Sequence, residues 1–109
     1  MAYDEGLAQR IRETFEGQPG VVEKKMFGGI AFMVQGNMSV GVVGEELMVR
    51  VGPDAYDSAL AEPHAREMDF TGKPMKGLIY VSPTGIATDD ALTDWVFRGL
   101  AFVMELPAK

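Results

Sequence analysis

Residues 30–51 read IAFMVQGNMSVGVVGEELMVRV, and their alternation decides the fold. Ile30, Phe32 and Val34 alternate with Ala31, Met33 and Gln35. Met38, Val40 and Val42 form one face of the following run, and Leu47, Val49 and Val51 alternate with Met48 and Arg50 in the next. A period of two is the pattern of half-buried strands. Gly36-Asn37 is a two-residue hairpin signal of the kind that needs positive φ, and Gly44-Glu45 makes a second turn. The stretch predicts a meander of successive antiparallel strands, and residues 22–27 add a strand ahead of it.

On the N-terminal side, residues 3–16 predict a helix, because Leu7, Ile11 and Phe15 recur every fourth position. Asp4 is placed to cap it, with Glu5 in the first turn; Gly17, Pro19 and Gly20 end it. On the C-terminal side, Gly52-Pro53-Asp54 breaks the sheet. Pro53 suits a first helical position, residues 55–61 make a short helix, and Pro63 ends it. Residues 66–70 alternate Met68 and Phe70 against Glu67 and Asp69, which predicts a strand. Residues 71–77 are a Gly/Pro loop, and residues 78–82 form the last strand. Residues 89–105 make the clearest helix, capped by Thr88 and begun by Asp89 and Asp90, with Leu92, Trp95, Val96, Gly99, Leu100, Val103 and Leu106 on one broad face. The order predicts an α+β fold: a two-layer sandwich whose antiparallel meander sheet, of about five to six strands, carries the N- and C-terminal helices on one face. Residues 1–109 read as one domain.

Composition excludes several chemistries. The chain has 109 residues, is 47% hydrophobic and 24% charged, and contains no cysteine. A chain of this size buries roughly 60–70% of the surface it exposes when unfolded, enough for a core without staples. The absence of cysteine removes disulfides, thiolate metal sites, cysteine nucleophiles and Fe–S clusters together. No apolar run approaches the ~18 residues of a membrane span. The N-terminal Met-Ala-Tyr-Asp-Glu is acidic, unlike a signal peptide, so the expectation is a cytoplasmic protein with no membrane contact. The formal net charge of −6 disfavours stand-alone binding to nucleic acid, whose affinity rests largely on neutralised phosphates.

No catalytic constellation stands out. His64 is the sole histidine and lies in a loop, without the spacing of a metal site. Ser39, Ser58 and Ser82 lack a nucleophile-elbow context. Asp89 and Asp90 read as helix caps rather than an acid–base pair. Residues 72–77 (GKPMKG) resemble a phosphate loop superficially but enter a strand, so no helix dipole supports an anion there. No catalytic residue, metal or cofactor is expected.

Three groups of residues remain as candidate sites. Lys24, Lys25, Met26, Phe27, Gly28 and Gly29 form the most distinctive stretch, read either as a partner surface or as a tight turn with solvated lysines. Arg50, Lys73 and Lys76 would join Lys24 and Lys25 in a basic patch if the fold gathers them, with Tyr80 or Phe27 as a stacking platform. Phe97, Ala101 and Met104 lie about 120–180° round the last helix from Leu92, so its apolar surface is wider than one sheet-facing stripe. That stripe is either a protein contact, such as a two-fold homodimer interface, or the seat of the first helix. The methionines, 8 in all, read as core filler where they alternate with Val and Leu.

The K-x-M-F-G-G entry at residues 24–29, with Met38-Ser39-Val40-Gly41, residues 47–51 and 75–81, and the closing Leu92, Trp95 and Leu100, resembles the TfoX N-terminal domain family. The likeness runs from about Leu7 to Leu106. It implies a two-layer α+β domain similar to secretion-chaperone-like and YjbR-like modules. It also implies kinship with regulators of bacterial competence genes, which act with a transcription factor rather than as enzymes. Longer members carry a second, C-terminal domain, which the reading expects this chain to lack. The family offers no agreed catalytic residues to carry over. The leading expectation is a non-enzymatic regulatory or adaptor module working through an unidentified protein partner, in transcription control. The alternatives are a nucleic-acid-binding module using the basic residues and a small-molecule sensor with a pocket between sheet and helices.

Overall fold

The computed structural model describes residues 3–26, 28–68 and 77–107. The Asp4 carboxylate accepts the Leu7 N–H at 3.1 Å and starts helix α1 (Glu5–Thr14). Four strands follow: β1 (Val21–Met26), β2 (Gly29–Val34), β3 (Asn37–Val43) and β4 (Glu46–Arg50). Helix α2 (Tyr56–Leu60) leads to strands β5 (Ala65–Glu67) and β6 (Leu78–Val81). A 3-10 turn (Pro83–Ile86) precedes helix α3 (Asp89–Met104), whose first turn is capped by the Thr88 hydroxyl accepting the Ala91 N–H at 3.1 Å. Among the described residues no helix is long and apolar enough to cross a membrane.

The six strands form one antiparallel sheet in the order β1-β2-β3-β4-β6-β5. The first four are the expected meander. Strand β6 then enters between β4 and β5, so the strand latest in sequence is interior and β5 is an edge. Strand β5 is shorter than the predicted 66–70; Met68 follows it and is buried, while residues 69–76, and most of the predicted loop with them, lie outside the described residues. Pro53 sits in the turn before α2, which begins three residues later.

Two local details differ from the alternation. The β2–β3 turn is made by Gln35-Gly36, at φ 52° and 84°, not by Gly36-Asn37. Both positive angles are what a type I′ hairpin requires. Asn37 is instead a buried strand residue whose side-chain N–H donates to the Pro107 carbonyl at 3.0 Å. The second difference is a bulge. Phe32 pairs with Val40 but Met33 pairs with Met38, which leaves Ser39 as an extra residue. One extra residue shifts the phase of a strand by one. Met38 therefore packs with Met33 on the far face, away from Val40 and Val42.

The helices cover one face. Ile30, Phe32, Val34, Val40, Val42, Leu47, Val49, Ile79 and Val81 meet Leu7 and Ile11 of α1 and Leu92, Trp95, Val96 and Val103 of α3. Each such fully buried aliphatic or aromatic side chain contributes roughly 1.5–3 kcal/mol of transfer free energy. Helix α3 reaches the sheet at Gly99, where a Cβ would stand 2.7 Å from the Ser39 carbonyl oxygen. The far face carries Ala31, Met48, Met68, Leu78 and Tyr80, with Met33 and Met38 beside them.

Candidate functional site

The lysine–glycine stretch forms the first hairpin. Strand β1 carries Lys24 and Lys25, and the Met26–Gly29 pair closes the turn. Phe27 lies outside the described residues. Gly28 has φ +74°, with open space where a side chain would go. Gly29 is buried, and a Cβ there would run into the Val42 carbonyl oxygen of β3. Both glycines are thus required by the backbone itself, since one turns the chain and the other lets strands close up. Lys24 pairs with Ala31 and Lys25 with Ile30, so alternation sends the two lysines to opposite faces of an edge strand.

Of the other candidate basic residues, Arg50 stands apart from the lysines. Arg50 is on β4, separated from β1 by β2 and β3, which is about 14 Å at the usual strand spacing. Its guanidinium carbon lies 5.2 Å from the centre of the Phe102 ring. Lys73 and Lys76 lie outside the described residues. Tyr80 is buried, with Arg66 stacked 4.5 Å over its ring and Arg66 in turn bound to Glu46. His64 is exposed, and its carbonyl accepts the Ser82 N–H at 2.9 Å. The Ser58 hydroxyl donates to the Ala55 carbonyl at 3.1 Å. Asp89 pairs with Arg10 at 3.3 Å. Among the described residues no three His, Asp or Glu side chains gather into a metal site.

The outer side of α3 is different in kind. Phe97 and Met104 are 49% and 50% exposed, and Ala101 between them is exposed too. Helix α1 does not cover them: with α1 packed at the N-terminal end of α3, where Arg10 pairs with Asp89, all three side chains stay exposed. Half of each side chain is already shielded, so full burial of Phe97 and Met104 would add roughly 1 kcal/mol apiece.

Beside this stripe runs a groove of about 270 Å³ between α2 and α3. Val51 and Ala59 form its floor, Ala55 and Ser58 one wall, and Ala101 and Phe102 the other; Arg98 and Glu105 stand at the rim. Ala101 belongs to both the stripe and the groove, which makes them one surface. The volume lies just below the ~300–1,000 Å³ of small-molecule pockets.

The groove is held by Arg98. Its guanidinium grips both oxygens of Glu62, in the turn after α2, and reaches Asp94 at 2.9 Å. It also stacks 4.3 Å over the Trp95 ring. The Glu62 hydrogen bond and, secondarily, the Asp94 charge hold the guanidinium even further above neutrality than usual. The sequence marks the stripe by helical spacing, but neither the Arg98–Glu62 clip nor the second wall, since both depend on where α2 lies in space.

The model of the TfoX N-terminal domain family matches residues 13–103, a span that holds every strand, α2 and nearly all of α3. No curated protein and no solved structure matches the chain.

Proposed function

The chain belongs to the TfoX N-terminal domain family, and from that membership together with the α3 surface we propose that it is a non-enzymatic regulatory module acting through protein contact. One observation carries the reading: the half-exposed Phe97, Ala101 and Met104 stripe, continuous with the α2–α3 groove. Large apolar side chains held in water on a regular helix favour association. The two glycines of the lysine–glycine stretch are accounted for by the turn at Gly28 and the close strand approach at Gly29. The family membership supports placing that contact in transcription control, and no catalytic step is assigned.

The test is affinity capture from nuclease-treated lysate of the native host, with the native chain, Phe97→Asp, Met104→Asp, and Lys24→Glu combined with Lys25→Glu. The expected result is a protein held by the native chain and the lysine variant and lost by both α3 variants, all four showing native circular dichroism. Retention of the same protein by both α3 variants would overturn the assignment of this face. Loss of all bound material on nuclease treatment would replace it with nucleic-acid binding.

A further inference from the structure

We infer that the α2–α3 groove and its neighbouring stripe seat a basic amphipathic helix of another protein. The inference rests on the protein-contact reading above and specifies the partner's chemistry. The first support is the distribution of charge. Residues 53–62 carry Asp54, Asp57 and Glu62, and residues 89–105 carry Asp89, Asp90, Asp94 and Glu105. Arg98 is the only Lys or Arg in these two segments, so together they hold a formal −6, the whole net charge of the chain. The rest of the chain balances, with nine acidic and nine basic residues. The acidity is thus concentrated in the two segments that contain the groove-walling helices.

The second support is that the one cation is already engaged. Arg98 serves Glu62 and Asp94. Asp90 and Glu105, exposed at opposite ends of α3, make no ion pair among the described residues. An incoming cation meets unspent carboxylates there, with the apolar stripe between them.

Length supplies the third. Asp90 and Glu105 are fifteen residues apart, about 22 Å along α3. That matches roughly four turns of a partner helix, with Lys or Arg toward both ends and apolar residues facing Phe97, Ala101 and Met104. One of those residues would enter the groove against Phe102. A second copy of this chain fits poorly. Antiparallel α3–α3 pairing sets Asp90 opposite Glu105 and brings two acidic segments together, a juxtaposition of like charges that opposes docking.

The full chain is titrated with a designed ~18-residue Leu/Lys amphipathic helix, and with a Leu/Glu peptide bearing the same apolar stripe, at low and high salt. Calorimetry and amide chemical shifts are the readouts. The Leu/Lys peptide is expected to bind, to shift amides in residues 55–59 and 97–105, and to weaken with salt. Phe97→Asp should weaken it about tenfold or more. Asp90→Asn and Glu105→Gln should each weaken it roughly two- to fivefold and flatten the salt dependence. Glu16→Gln, beyond the end of α1, should change nothing. Equal binding of the Leu/Glu peptide, or indifference to Asp90→Asn and Glu105→Gln, would overturn the basic-helix inference alone. So would failure of both peptides while host-protein capture still depends on Phe97, which leaves the protein-contact reading standing. Self-association abolished by Phe97→Asp would give the face to a second copy and overturn the inference as well.

Discussion

Alanine at position 99 should destabilise this protein, against the usual sign for such a change. Inside a helix, alanine is favoured over glycine by about 1 kcal/mol. Here the added methyl would stand 2.7 Å from the Ser39 carbonyl oxygen and 2.9 Å from Val40 Cγ1, with Ser39 Oγ at 3.2 Å. The two nearest atoms are not the free ends of flexible side chains. Ser39 is the bulged residue and Val40 is paired on both sides, and both are fully buried. Helix α3 must therefore lift, loosening Trp95, Val96 and Val103 against the sheet. Overpacking of this kind costs roughly 1–3 kcal/mol, and two contacts under 3.0 Å place Gly99 in the upper part of that range. After the propensity gain, a net loss of about 1–2 kcal/mol remains. At ~4–8 °C per kcal/mol, the melting temperature should fall by roughly 5–15 °C. Urea and thermal unfolding followed by circular dichroism would measure it. Ala101→Gly is the control: at this exposed position propensity alone acts, and about 1 kcal/mol should be lost. A Gly99→Ala variant as stable as the native chain, or more so, would refute the close helix–sheet approach.

Four further outcomes are expected. Gly29→Ala should cost more than about 3 kcal/mol, because its methyl meets the Val42 carbonyl, while Gly28→Ala should cost only ~1–2 kcal/mol for its positive φ; equal effects in urea unfolding would contradict the division of labour between them. Phe97→Asp should cost only about 1–2 kcal/mol, the half-buried ring's share plus the poor helix propensity of aspartate, and a loss above about 3 kcal/mol in urea unfolding would show that Phe97 belongs to the core. Arg12 grips Glu23 at 2.7 and 2.8 Å and holds its carboxyl below the usual range. A depressed folded pKa gives stability that is present above the unfolded value near ~4.3 and lost as pH falls through the folded one. The pair is partly exposed, so ~1 kcal/mol or less is at stake, and Glu23→Gln should lessen the acid-side fall in urea midpoint; an identical fall in both proteins would remove the pair from the account. Asn37→Ala should lose about 1–2 kcal/mol and speed amide exchange at Glu105 and Leu106, by freeing the Pro107 carbonyl; unchanged exchange would show the clasp to be idle.

The alternation in residues 30–34 and 47–51 foretold strands and faces because both runs keep strict phase. Ser39 breaks phase without announcing it: M-S-V-G-V mixes small and apolar residues, and nothing local says which is the extra one. The turn was legible to within one residue. Gly36-Asn37 is the stronger local signal, but Asn37 is drawn into the strand by Pro107, 70 residues away, and Gln35 takes the positive φ instead. The insertion of β6 between β4 and β5 was beyond local patterns, since an antiparallel neighbour in space need not be a neighbour in sequence. At the candidate site the stripe of Phe97, Ala101 and Met104 could be read from helical spacing alone. The groove could not, because one wall belongs to α2, which the chain brings in from about forty residues earlier.

The inserted strand also gives the molecule an order in time. The first three hairpins each close over two residues, whereas β6 reaches β4 across residues 51–77. Loop-closure entropy alone makes that longer step costlier by on the order of 2 kcal/mol. The first four strands can therefore pair early, while one edge of β4 stays bare until β6 arrives. That edge belongs to Glu46-Leu47-Met48-Val49-Arg50, an apolar run bounded by a carboxylate and a guanidinium. During those moments it is an open template for another chain, and the charges at its two ends are its guard against aggregation.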